Sequence, residues 1–137
     1  MISKFEGNYY FLSNFYSAPI TYNGITYKNN EAAFQAQKCP YRVHEFTDLE
    51  PSEAKRLGRR VKLREDWEEV KDRVMYEIVR AKFRQNKLLK MLLLQTGTRT
   101  LVEGNWWNDT YWGVCKGKGE NKLGQILMRV REELKDD

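Results

Sequence analysis

From Asp66 to Arg84 the apolar residues Trp67, Val70, Val74, Ile78 and Ala81 recur at steps of three and four, the period of one helix face turned toward a core. It is the longest helix the chain predicts. A second stripe, Leu123, Ile126, Leu127, Val130 and Leu134, marks a helix over residues Lys122 to Leu134. Asn29 or Asn30 caps a helix over residues 31–38 that Cys39-Pro40 ends, and Pro51 starts another that stops near Gly58. Shorter helical pieces are expected at Val43 to Leu49 and, capped by Asn86, at Lys87 to Leu94. Against these stands one firm hairpin, in which Ile20 to Tyr22 and Ile25 to Tyr27 flank Asn23-Gly24, a pair that tolerates the positive backbone angles of a two-residue turn. Weaker strands are expected around Phe5 and Tyr9 to Phe11, at Thr100 to Val102 and at Tyr111 to Cys115. The expectation is a single α+β domain over residues 1–137, mostly helical with a small antiparallel sheet.

A chain of 137 residues buries a core without staples. Its net charge of +5 and pI near 9.2 favour anionic partners, although charges of both signs are mixed. Cys39 and Cys115 lie far apart, without the spacing of a metal or redox pair, and a reducing cytoplasm is the simpler setting. The opening MISKFEGNYYF lacks the apolar core of a signal peptide, and no run approaches the roughly 18 apolar residues of a membrane span. A soluble, cytoplasmic protein with no membrane partner is expected.

Chemistry concentrates at Glu103 to Gly124, EGNWWNDTYWGVCKGKGENKLG, where three tryptophans share a stretch with Asn105, Asn108, Asp109 and Thr110. Tryptophans in a core are the ordinary case, but turn-forming neighbours favour surface backbone, where aromatic rings face ligands. A nucleotide fits the mix. One histidine, His44, and two cysteines exclude a nitrogen- or sulfur-ligated metal site, and no metal or cofactor is expected. Neither GxSxG, GxGxxG nor GxxxxGK[ST] occurs.

What remains is carboxylate and amine chemistry. Glu31, Gln35 and Lys38 fall at steps of four and three, on one helix face, as either a solvated stripe or the wall of a cleft. Asp109 is either the acceptor of an Asx turn or a second catalytic acid, and Glu103 is a third carboxylate. Two such acids suit glycoside cleavage, one stabilising an oxocarbenium-like centre and the other moving protons. The KGKGEN turn, Lys116 to Asn121, ahead of the last helix suits a phosphate or serves only as a tight turn, while Lys55, Arg59 and Arg60 offer a competing phosphate site. Aromatic platforms beside basic groups also suit single-stranded nucleic acid.

FLSNFY, NNEAAFQAQK, EAKRLGRRV, the W-x-x-V-K-x-x-V-M run from Trp67 to Met75, AKFRQN, LVEGNWWNDxxWG and GENKLGxILMRVR resemble, in order, the NADAR, or YbiA-like, family. The resemblance covers about residues 9–134. It implies an N-glycosidase acting on a ribose carbon–nitrogen bond, in phosphorylated ribosylamino-pyrimidine intermediates of riboflavin synthesis or in ADP-ribosylated guanine. Nucleic acid is then a possible carrier of the modification. By motif position it implies Glu31 and Asp109 as the acids, and Trp67 with Trp107 or Trp112 as aromatic walls. Lys38 is implied as an amine able to form a Schiff base. Ser13, Asn14 and Phe15 are implied as holding ribose or phosphate, and Gly113 and Asn121 as shaping the closing loop. The competing class is a module that binds ADP-ribose or a nucleotide without cleaving it.

Overall fold

In the computed structural model, which describes residues 1–137, Asn23 and Gly24 both take positive φ, 51° and 79°, and so turn the chain between strands β1 (Ser17–Tyr22) and β2 (Ile25–Asn29). The strands pair antiparallel, with Ile20 opposite Tyr27 and Tyr22 opposite Ile25. Pro19 lacks a ladder donor, and the register shifts between Ser17 and Ile20, where a bulge tolerates it. Contacts gather into two compact units, Asn14–Asn86 and a second formed by Met1–Ser13 with Lys87–Asp137.

In the first unit the chain passes from β2 straight into helix α1 (Asn30–Ala36), because the Asn29 side chain accepts from the Ala32 N–H at 2.8 Å. A 3₁₀ segment, Pro40–Phe46, leads to α2 (Pro51–Gly58), whose start carries a capping box between Glu50 and Glu53. Helix α3 (Trp67–Gln85) then lies against the hairpin, where the Gln85 amide donates to the Thr21 carbonyl at 2.7 Å and accepts from its N–H at 2.8 Å. All seven residues of α1 are buried. Its alanines, Ala32, Ala33 and Ala36, let the hairpin, α2 and α3 approach closely, so Glu31 and Gln35 are enclosed too.

Three expectations change here. The core stripe of α3 takes Lys82 in place of Ala81, because the buried face broadens to Met75, Val79 and Phe83 and draws the lysine stem in with them. Lys82 is 1% exposed, with its ammonium 5.5 Å from the Tyr16 ring centroid and 5.1 Å from that of Phe83. Asn86, expected to cap the following helix, instead donates to the Lys82 and Pro19 carbonyls and so closes α3. The piece expected from Val43 to Leu49 starts earlier and is 3₁₀.

The second unit holds α4 (Lys87–Gln95), β3 (Gly104–Asn105), β4 (Val114–Cys115) and α5 (Lys122–Leu134). Leu89 and Leu93 of α4 and Leu123, Leu127, Val130 and Leu134 of α5 are buried where the two helices meet. Arg131 is enclosed beside them, donating to Thr96 Oγ1 at 2.9 Å and to the Arg99 carbonyl at 2.8 Å. The expected strand around Tyr9 to Phe11 is a 3₁₀ helix, Gly7–Leu12, entered through Gly7 at φ +56°, an angle no strand sustains. Thr100 to Val102 reduces to a single parallel bridge between Leu101 and Ile2. Only Val114–Cys115 survives of the strand expected from Tyr111, and it pairs parallel with Gly104–Asn105. The chain is α+β and mostly helical, with its antiparallel sheet confined to one hairpin.

Candidate functional site

The Asn14–Asn86 unit builds a polar cluster on the buried helix α1. The Asn14 carbonyl of the FLSNFY segment accepts from the Glu31 N–H at 3.0 Å, and Asn14 Oδ1 accepts from Asn30 Nδ2 at 3.3 Å. The opening motif is thereby tied to the first turn of α1, two residues that no local pattern connects. Glu31 is 9% exposed, and its Oε2 accepts from Gln35 Nε2 at 2.7 Å. A carboxylate this enclosed needs such donors, because burying a charge without them is costly. Lys38 follows, half-buried in the turn after α1, and burial pushes its amine below the ordinary lysine range. The Glu31 charge opposes that shift, while Arg59 and Lys55 reinforce it. Glu31 and Gln35 therefore share one face of α1 as their spacing predicts, and that face is interior rather than a solvated stripe; the helix expected over residues 31–38 ends at Ala36, so Lys38 lies beyond it.

Around this cluster the other expected residues take different positions. Phe15 lies under Lys55, whose Nζ is 6.0 Å from the ring centroid, and Arg59 is exposed at the end of α2. Trp67 is buried with its ring 5.1 Å from that of Phe34, so it packs on the back of α1's core rather than standing as an open platform. Sequence reasoning missed two residues. Asn30 is one, and its only signal was its place beside the capping Asn29. The other is Gly58, which looked like a helix stop. A Cβ there would lie 1.9 Å from Gln35 Oε1.

The second unit organises the tryptophan segment. Asp109 Oδ1 accepts from the N–H groups of Tyr111 at 3.1 Å and Trp112 at 2.9 Å, which closes an Asx turn. That turn is why Tyr111 and Trp112 do not extend into the expected strand. Asn105 braces the same segment, donating to Glu103 Oε2 at 3.0 Å and to the Asp109 carbonyl at 2.9 Å, and accepting from the Asp109 N–H at 3.1 Å. Trp106 is 80% exposed and Trp107 44%, set edge to face at 5.6 Å, while Trp112 is half-buried against Tyr111. Ser13, at the end of the opening 3₁₀ helix, is half-buried.

Gly113 and Asn121 shape this segment, each for a steric or hydrogen-bonding reason. A Cβ on Gly113 would meet Glu103 Oε2 at 1.7 Å. Asn121, at φ +53°, donates to the Leu101 carbonyl at 2.9 Å and accepts from the Glu103 N–H at 2.9 Å. The phosphate expected at KGKGEN meets an occupied frame. Lys116 and Gly117, both at positive φ, form a tight turn between Cys115 and Lys118. The N–H groups of Glu120, Asn121, Lys122 and Leu123 already donate to the carbonyls of Thr110, Gly113, Tyr111 and Trp112. The amides that would cradle an anion at the start of α5 are thus used by the tryptophan segment itself. No three His, Cys, Asp or Glu side chains gather as a metal would need.

Helix α1 thus carries Glu31 and Gln35, Lys38 lies in the turn after it, and later in the chain an indole-bearing segment is laid over the start of α5. The chain belongs to the NADAR domain family, whose model matches residues 2–135. It is 46% identical over 128 residues to the N-glycosidase YbiA of Escherichia coli (strain K12), covering 89% of this chain and 79% of that protein. A riboflavin biosynthesis protein of Vibrio vulnificus (strain YJ016) is 41% identical over 137 residues, 96% of this chain but 37% of that longer protein. The solution NMR structure of E. coli YbiA matches with a TM-score of 0.84 at 42% identity, covering 99% of this chain and 88% of that one.

Proposed function

We infer that this chain is an N-glycosidase that hydrolyses the bond between a ribose C1′ and a base nitrogen in a nucleotide-like substrate. Water adds at C1′ as the C1′–N bond breaks, and the departing base takes up a proton. The observation that carries this reading is the enclosed, ionisable Glu31, held by an amide donor one turn away and followed by the half-buried amine of Lys38. Such a carboxylate stabilises positive charge at C1′ or orients the attacking water, and a fixed charge in a water-poor setting acts strongly there. Relatives bearing the name N-glycosidase support the same reading.

Lys38 is the second catalytic group. Its lowered pKa favours the free amine. When the sugar ring opens, that amine condenses with the aldehyde, losing water to give an imine that water later cleaves. Lys55, Arg59 and Phe15 are assigned to the phosphate and ribose of the substrate, together with Ser13 and Asn14. The indoles of Trp107 and Trp112 are assigned to the base. Two substrates are in view, a phosphorylated ribosylamino-pyrimidine and ADP-ribosylated guanine. The exposed Trp106 with Lys116 and Lys118 nearby in sequence supports a single-stranded nucleic acid as carrier of the latter. Both units are taken as one functional domain, since one family model spans residues of each. The cytoplasm is the proposed location; Cys39 and Cys115 are unpaired, and no helix is long and apolar enough to cross a membrane.

Incubation with each substrate, followed by chromatography for free base, tests the activity. Free base from one of them is expected, and tight binding with no base released would replace the enzyme with a binding module. Asp109 is the second acid of this reading and has its own test. Asp109→Asn keeps Oδ1 as acceptor for Tyr111 and Trp112 and removes only the charge. We expect base release to fall by about 100-fold or more with an unchanged melting temperature. Full activity in Asp109→Asn, with loss only in Asp109→Ala, would reduce Asp109 to the turn.

A further inference from the structure

We propose that Gln35 is a positioning residue that aims the Glu31 carboxylate, and that Gly58 is the seat that makes this possible. The proposal rests on the glycosidase reading above and changes the part Gln35 plays in it, from contact with substrate to control of the acid.

Gln35 sits one turn after Glu31 on α1 and is 6% exposed. Its Nε2 donates to Glu31 Oε2 at 2.7 Å. The other end of the amide, Oε1, is buried with no hydrogen-bond partner. It lies against Gly58 at the end of α2, where an added Cβ would come within 1.9 Å of Oε1, 2.8 Å of Cδ and 3.2 Å of Cβ. The Gly58 backbone is not in the left-handed region, so the glycine serves space rather than a special φ. No other residue leaves room for the amide in this orientation.

Two arguments separate positioning from plain packing. An acceptor buried without a partner costs stability, and a leucine of similar size would fill the same space without that cost. The amide is therefore explained by its other end, the N–H aimed at the carboxylate. Rotating the amide by half a turn would set its oxygen against the Glu31 oxygen, so the charge on Glu31 fixes which way it faces. Nor does Oε1 serve as a contact for substrate, because the α2 backbone at Gly58 covers it. The pair Gln35 and Gly58 thus acts like a set square, with α2 as its base and the carboxylate as its edge.

The test compares Gln35→Leu, Gly58→Ala, Gln35→Ala and the double variant Gln35→Ala/Gly58→Ala, all on the full chain with melting temperatures recorded. In Gln35→Leu, kcat is expected to fall by about 100-fold with KM little changed, as misplacement of a catalytic group does. The acid limb of its kcat/KM profile moves to higher pH, since the ionised carboxylate has lost a donor. Gly58→Ala gives the same change in wild-type background and little further change in Gln35→Ala, where the two severe contacts, with Oε1 and Cδ, are gone and only the 3.2 Å approach to Cβ remains. A rise in KM at constant kcat would make Gln35 a substrate contact and overturn the proposal. So would an unmoved acid limb, or equal effects of Gly58→Ala in both backgrounds. A carbon-13 titration of the Glu31 carboxyl in wild type and Gln35→Leu reads the same coupling without substrate. If wild type releases no base, the glycosidase reading fails while this titration still decides the Gln35 assignment.

Discussion

Glu31→Gln is expected to lower base release by roughly a thousandfold while leaving the fold intact. The size follows from what the substitution removes. The glutamine carbonyl still accepts from Gln35 Nε2, and the Asn14 carbonyl still accepts from the backbone N–H of residue 31, so both local anchors persist. Only the negative charge is lost, the charge that in the proposed mechanism meets positive character at C1′ in the transition state. Because the side chain is enclosed, little water stands in for it. Burying a neutral amide in place of a carboxylate also relieves desolvation, so the melting temperature should hold or rise. Chromatographic assay of free base beside a thermal melt checks both halves. Activity within tenfold of wild type would remove Glu31 from the mechanism.

Lys82→Met is expected to stabilise the protein at neutral pH, on the order of 3 kcal/mol, with the gain fading as pH rises toward 10.5. Burial pushes the Lys82 amine down to about 7 from an ordinary 10.5. Between those two values the unfolded chain binds a proton the folded chain has released, so wild-type stability climbs with pH across that window. Below about 7 both states are protonated and the penalty is complete. Above 10.5 neither is, and the penalty is gone. The Tyr16 and Phe83 rings return part of the cost by facing the ammonium, which is why the expected gain is less than the full desolvation. Methionine keeps the stem in the same space and never titrates. Urea unfolding at pH 7 and pH 10 measures the effect, and equal differences at the two pH values would show that the amine is protonated throughout.

Local signals in the sequence were reliable where a single residue decides the backbone. Asn23-Gly24 demanded a hairpin, Asn29 capped α1, Pro51 opened α2, and the stripes of α3 and α5 set their length. The segments that escaped are those in which another residue overrides the pattern that the segment's own side chains show. Tyr9 to Phe11 alternates like a strand, yet Gly7 turns it into 3₁₀ structure. Residues from Tyr111 look extended, yet one oxygen of Asp109 takes two of their N–H groups. Lys82 carries no mark of burial, because a charged residue one step off an apolar stripe normally faces water.

The site was half legible for the same reason. Spacing put Glu31, Gln35 and Lys38 on one face, but a seven-residue helix buried on every side has no periodicity to announce it. Only the alanines hinted at close packing. Trp67 shared a residue type with the exposed indoles and ended in the core against Phe34. Gly58 read as an ending because glycine usually is one there, and its use emerges only when the side chain lying over it is known.

The four hydrogen bonds that fasten residues 110–113 to the head of α5 join main-chain atoms, the carbonyls of Thr110 to Gly113 on one side and the N–H groups of Glu120 to Leu123 on the other. With the side-chain braces of Asn105, Asp109 and Asn121 they set the path of this stretch, and the Trp106 indole is part of none of them. Trp106, standing almost wholly in solvent on the stretch just before it, can be exchanged during divergence for a small or polar residue without redrawing the path of the backbone. A change at this one exposed ring therefore leaves the mounting beneath it untouched.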